Sequence, residues 1–261
     1  MSGTWVDMRE HELNKDTLLA LLANKIPAIR IKGFASAAEC ELFARTAKAG
    51  NMKYYSVAKR IGYIGMAQYE YRWGRPKGDY FADVPKAKAD LQWVTERSFD
   101  PVRRIVDRLQ AIYDAPVGEA KEAEYGSYFA GIIRSASEGV DLHADFAPFN
   151  SPAYAIGKID AQLGWNFFAE GLLSGGNTTV HNAPWTPKMK PGEVPKSYGL
   201  ERDVVAGARA FTYEPTVGDV VIFNTRNPHE IGGGTTLPGR DRISIGSFIG
   251  RMPDRSLVMW A

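Results

Sequence analysis

The chain has 261 residues, with 32 lysine or arginine against 30 aspartate or glutamate and a formal charge of +2. That length is enough for one domain with a full hydrophobic core, and the near-balanced charge, without any block of lysine or arginine, excludes the electrostatic footprint of a nucleic-acid-binding protein. A single cysteine, Cys40, excludes an intramolecular disulfide framework and fits a buried structural thiol in a reducing compartment.

The N-terminus has no apolar signal core, and no later apolar run approaches the ~18 residues that cross a bilayer. A soluble, cytoplasmic protein without membrane contact is therefore expected, acting on a small molecule as a monomer or homodimer.

In chain order, Leu18, Leu19, Leu21 and Leu22 follow the polar start Asn14-Lys15-Asp16 at helical spacing, which predicts a helix over 15–24. Residues 27–33 alternate apolar and charged side chains and stop at Gly33, as a strand does. Ser36 and Glu39 have the spacing of a capping box opening a second helix. A third is predicted over about 97–113, with Val102, Ile105, Val106, Leu109 and Ile112 as its buried stripe. Between the second and third, residues 53–82 hold Tyr54, Tyr55, Tyr63, Tyr69, Tyr71, Trp73 and Tyr80 with Arg60, Arg72 and Arg75. This segment reads equally as a lid over a pocket or an irregular packed surface layer.

From about residue 123 the pattern changes to short runs rich in Val, Ile, Phe, Tyr and Thr. Strands are predicted over 126–134, 140–146, 160–169, 177–182, 210–213, 219–224 and 241–249, with turns at 174–177 and 215–218. The prolines at 184, 187, 191 and 195 mark 183–209 as an inserted loop, either covering a pocket mouth or running over the surface. The expected fold is mainly β with helical elaboration (α+β). It forms one domain over 1–261, in which a helical part, 1–122, carries a double-stranded β-helix or jelly-roll core, 123–261.

Within that core, residues i and i+2 of a strand share a face, so His143 and Asp145 converge. The apolar run 218–224 leads through a polar turn to His229. Two imidazoles and one carboxylate bind one face of a ferrous ion and leave the opposite face for oxygen and an organic co-substrate. His-x-Asp alone arises by chance in many sequences; the β context and the later histidine give it weight. His181 reads as a structural strand residue and His11 as a solvated one. Arg242 and Ser244 share a strand face, and a guanidinium with a hydroxyl there suits the distal carboxylate of 2-oxoglutarate, the alternative being an internal salt bridge. Asn166 shares a face with Gln162; it either binds the co-substrate's inner carboxylate, orients a ligand histidine or caps a neighbouring strand.

These motifs, with residues 175–180 (GGNTTV), 218–224 (GDVVIFN), His229 and 242–248 (RISIGSF), resemble the Fe(II)/2-oxoglutarate-dependent oxygenases. Within them the second half is similar to the group of standalone indole-alkaloid halogenases and hydroxylases of N-substituted amino acids. The resemblance implies His143, Asp145 and His229 as iron ligands and Arg242 with Ser244 as co-substrate anchor. Halogenases of this group replace the carboxylate with glycine, so Asp145 implies hydroxylation, or another oxidation such as desaturation, with oxygen consumed and succinate and carbon dioxide released. Val140 and Phe149 are expected in the substrate pocket wall, and Arg72 or Arg75 against an anionic substrate group unless simply solvated. Two other readings stay open: a cupin-like small-molecule binding protein, and a metal-dependent oxygenase independent of 2-oxoglutarate.

Overall fold

A computed structural model describes residues 5–54, 61–72, 75–188 and 199–261. The first helix, α1 (Lys15–Leu22), starts at a reciprocal cap: Thr17 N–H donates to the Asn14 side chain at 2.9 Å and Asn14 N–H to Thr17 Oγ1 at 3.0 Å. The second, α2 (Ala37–Ala49), opens with the expected box, Ser36 N–H donating to Glu39 Oε2 at 2.8 Å and Glu39 N–H to Ser36 Oγ at 3.3 Å. It buries Cys40, Phe43, Ala44 and Ala47, one stripe of a 3.6-residue period.

A helix not anticipated from the sequence, α3 (Lys77–Thr95), follows Pro76 and tolerates Pro85 in its interior. Glycine, proline and weak amphipathicity hide it, and packing of Tyr80, Phe81, Val84, Ala87 and Val94 carries it instead. The helix expected over 97–113 is shorter, α4 (Pro101–Gln110). The Asp100 carboxylate accepts from Arg103 N–H at 2.9 Å and Pro101 occupies the first turn, so this cap defines the start.

The aromatic stretch 53–82 is not one loop. Strands Lys53–Tyr54 and Ile61–Ile64 extend the large sheet, Gln68–Tyr71 makes a 3₁₀ turn, and α3 begins at Lys77. Tyr55, Arg60 and Trp73 lie outside the described residues, as do 189–198 of the 183–209 segment.

Two sheets face each other. The large one runs Ala28–Ile31, Val220–Asn224, Ala161–Glu170, Ile243–Arg251, Ile132–Ala136 through its middle, so a strand from the helical half completes it. The small one runs Ala210–Tyr213, Thr178–His181, His229–Ile231, Val140–His143. On the central strand, Leu163, Trp165 and Phe167 join the core under the helices, while Phe168 joins Val180, Tyr213, Val221 and Phe223 between the sheets. Alternation therefore places Gln162, Gly164 and Asn166 inside the barrel too. Register does the same for the next strand: Ser244 lies opposite Phe168 and Gly246 opposite Asn166. Among the described residues, no helix is long and apolar enough to cross a membrane.

Helix packing supplies a pH test. The Arg104 guanidinium donates to Glu39, and with the Ser36 N–H it holds the Glu39 carboxyl down at about 2. A depressed carboxylate contributes stability that is complete above its unfolded value near 4.5 and is lost as pH falls toward 2. Glu39→Gln is expected to lower stability at neutral pH and to flatten the acid limb across that window, measured by urea unfolding at stepped pH.

Candidate metal and co-substrate site

Antiparallel pairing sets His143 directly opposite His229, with their ring centroids 4.1 Å apart. Each imidazole places Nδ1 on a carbonyl two residues earlier, His143 on Asp141 O at 2.7 Å and His229 on Asn227 O at 3.0 Å. A carbonyl only accepts, so Nδ1 carries the proton in both rings and Nε2 presents its lone pair. Asp145 Oδ2 lies 3.8 Å from each Nε2. One ligand atom from each residue falls within 4.8 Å of the others, and all three side chains are buried. Burial and the neighbouring His143 ring hold His229 well below the usual imidazole value, which keeps it in the neutral form a metal requires.

Strand alternation is not what brings Asp145 in. The strand ends at His143, and Asp145 lies beyond it. Its backbone is held instead by Thr225: Asp145 N–H donates to Thr225 O at 2.9 Å and Thr225 Oγ1 to Asp145 O at 3.1 Å. Gln162 Oε1 accepts from Ala147 N–H at 2.7 Å, bracing the same segment from the central strand. Thr225 and Gln162 thus orient the carboxylate through its backbone.

Arg242 sits just before the strand Ile243–Arg251 and inside the barrel, its guanidinium 5.3 Å from the centre of the Phe168 ring. It is 6% exposed, its Nε has no hydrogen-bond partner, and no carboxylate pairs with it among the described residues. Arg30, buried to 7% exposure, shows the usual solution, with Glu10 at 2.8 Å and Asp219 at 3.2 Å. Among the described residues, then, Arg242 lacks the internal salt bridge considered for it. A buried cation without an anion is a site for one. Tyr213, whose phenol burial pushes upward so that it stays protonated, lies close enough to Arg242 to interact, beside its cross-strand partner Thr178.

Ser244 is buried on the Arg242 face, and Asn166 is half-buried above Gly246. A Cβ at Gly246 would meet Asn166 Oδ1 at 2.8 Å and the Trp165 carbonyl at 2.4 Å, so glycine leaves the space that the amide occupies. Val140 opposes Ile231 while His143 opposes His229, three residues against two; this bulge turns Val140 onto the histidine face. Phe149, in the short helix Ala147–Asn150, packs against Phe146 and Trp185 with centroids 5.0 and 5.8 Å apart. Arg72 follows the 3₁₀ turn Gln68–Tyr71. It bonds Tyr69 O at 2.8 Å and covers the Tyr69 ring, which borders the aromatic cluster containing Phe146 and Phe149. Arg75 stacks on Tyr71 and pairs with Asp79.

His181 is structural, bonding Glu230 at 3.1 Å. His11 is paired with Asp7 rather than solvated. Sequence reading passed over Thr225, Tyr213, Thr178 and Arg226; of these only Thr225 and Arg226 carried a signal, their place in the turn between an apolar strand and His229.

One protein family, described as carrier-protein-independent halogenase WelO5, matches residues 3–260 of the chain. The chain belongs to that family. It is 35% identical over 212 residues to the leucinostatins biosynthesis cluster protein S of Purpureocillium lilacinum, across 77% of this chain and 86% of that protein. It is 29% identical over 205 residues to the L-gamma-glutamyl-L-propargylglycine hydroxylase of Streptantibioticus cattleyicolor, across 73% and 74%. An N-substituted L-amino acid dioxygenase from Burkholderia ambifaria has the same fold, with a TM-score of 0.62 at 13% identity over 95% of this chain and 91% of that one. The group anticipated from the motifs is the one the family match returns.

The Thr225 clamp can be tested on the metal-free protein. Thr225→Val keeps the shape but removes the donor to the Asp145 carbonyl. Affinity for cobalt(II), followed by its visible absorption, is expected to fall about tenfold or more while the fold is retained.

Proposed function

We propose that this enzyme is an Fe(II)- and 2-oxoglutarate-dependent dioxygenase that hydroxylates an unactivated C–H bond of a small molecule, an amino-acid derivative or natural-product intermediate. The carrying observation is the Asp145 carboxylate, buried and equidistant from two Nε2 lone pairs. That donor set fits iron with one open face. His143, Asp145 and His229 would hold the metal. When bound, iron with 2-oxoglutarate and oxygen supplies oxidative decarboxylation to succinate and carbon dioxide and insertion of one oxygen atom into the substrate.

The remaining work belongs to the chain. Arg242, with Ser244 beside it, anchors the distal carboxylate of 2-oxoglutarate, and the uncompensated charge of Arg242 supports that role. Asn166, the polar side chain left half-accessible inside the barrel, meets the inner carboxylate. Val140 and Phe149 wall the substrate side, and Arg72 stands at its outer edge. The buried surroundings exclude water, so the oxidant is spent on the substrate held nearest. Asp145 favours hydroxylation over halogenation because its carboxylate fills the position a halide would need, and a relative at 29% identity is named a hydroxylase.

Anaerobic addition of Fe(II) and 2-oxoglutarate is expected to give a visible charge-transfer band, with Asp145→Ala needing more Fe(II) to reach it and losing hydroxylation. With a substrate present, oxygen should yield succinate and a product heavier by one oxygen atom. A product carrying chlorine would refute the hydroxylase assignment, and no band at all would refute the cofactor assignment.

Arg242→Met separates anchor from scaffold. Removing a buried unpaired charge is expected to leave the thermal midpoint of the ligand-free protein unchanged or raised, while the upward shift given by 2-oxoglutarate disappears. A large loss of stability with the shift retained would make Arg242 a structural residue.

A further inference from the structure

Arg226 is the second cation in the barrel mouth without a carboxylate. It lies in the turn between Val220–Asn224 and His229–Ile231, immediately after the Thr225 clamp and three residues before His229. Trp185 is tied to it twice: Trp185 N–H donates to the Arg226 backbone carbonyl at 2.8 Å, and the Arg226 side-chain Nε donates to Trp185 O at 3.0 Å. One Nη2 proton reaches Thr186 Oγ1 at 3.3 Å. The guanidinium lies over two rings, 4.8 Å from the centre of Phe146 and 5.5 Å from that of Phe149. Its polar partners are all neutral, and among the described residues no carboxylate pairs with it and Nη1 has no acceptor. Half-burial lowers its ordinary value without removing its charge.

This is an oriented fork. Three of its five N–H donors are uncommitted, and its plane is fixed by one backbone carbonyl, one hydroxyl and two aromatic faces. Phe146 directly follows Asp145 and Arg226 directly follows the Thr225 clamp, so the platform adjoins the His143, Asp145 and His229 group through the chain on both sides. The same rings, with Trp185, offer an apolar wall beside the cation.

We propose that Arg226, with Thr186, binds the carboxylate of the substrate, and that the substrate is a monocarboxylate with an apolar body. A planar carboxylate accepts two parallel bonds from such a fork, whereas a phosphate dianion would call for more than one cation. The body then lies along Phe146, Phe149 and Trp185 toward the metal ligands. This rests on the hydroxylase reading above, since it assigns the substrate side of the same site.

The test uses a panel of N-acetyl amino acids with apolar side chains, each as free acid and as amide, titrated into the full-length protein with 2-oxoglutarate in excess to fill the Arg242 site. Tryptophan fluorescence and thermal shift report binding without turnover. At least one acid is expected to bind the wild-type protein about tenfold or more tightly than its amide. Arg226→Gln should erase that preference, and Arg226→Lys should retain part of it, with the 2-oxoglutarate shift unchanged in both.

If no acid outbinds its amide, or if the preference survives in Arg226→Gln, the assignment is overturned. The anaerobic charge-transfer band is recorded on the same samples. Its absence in wild type counts against the iron and 2-oxoglutarate reading, whereas a normal band with no acid preference counts against Arg226 alone.

Discussion

Two imidazoles and a carboxylate that must share one small volume are hard to bury, because each needs its backbone held and its other polar atoms satisfied. The chain meets this constraint by pairing. His143 and His229 face each other across one antiparallel ladder, and each fixes its own tautomer on a carbonyl two residues away. Asp145 has no strand to hold it and is tied to Thr225 by two hydrogen bonds. Thr225 directly follows the strand Val220–Asn224, which pairs with the central strand, and Gln162 of the central strand braces Ala147. The site geometry is thus a consequence of sheet register, and the helices under the large sheet hold the register by packing on Leu163, Trp165 and Phe167.

Charge distribution gives the second organising idea. Among the described residues the other buried arginine, Arg30, is compensated by Glu10 and Asp219. At the barrel mouth Arg242 and Arg226 are not, one deep beside Phe168 and the other on the rim over Phe146 and Phe149. Leaving a buried charge unpaired costs stability, a cost a fold retains where a ligand supplies the missing partner. Two such cations over different aromatic rings leave room for one anion each, as the proposed reaction of a carboxylate co-substrate with a second molecule requires.

The barrel core was readable because strand alternation is a strong signal: Gln162, Asn166, Arg242 and Ser244 face inward as their spacing requires. The three residues were picked out by the His-x-Asp spacing and by the histidine that follows an apolar strand; the expected reason for convergence, alternation, was wrong for Asp145, which a turn clamp holds. What stayed hidden depended on tertiary contacts. Helix α3 contains Gly78 and Pro85 and has little periodicity, so only its packing against the aromatic cluster makes it helical. The strand Ile61–Ile64 is too short to stand out and forms because Ile132–Ala136 offers it an edge. Thr225 and Arg226 look like ordinary turn residues until the hydrogen bonds to Asp145 and Trp185 are seen.

The most direct measurement is a crystal structure of the protein soaked anaerobically with Fe(II) and 2-oxoglutarate. The account predicts one metal bound by His143 Nε2, His229 Nε2 and the Asp145 carboxylate, with the distal carboxylate of 2-oxoglutarate on Arg242. A metal bound elsewhere, or 2-oxoglutarate lying away from Arg242, would contradict it.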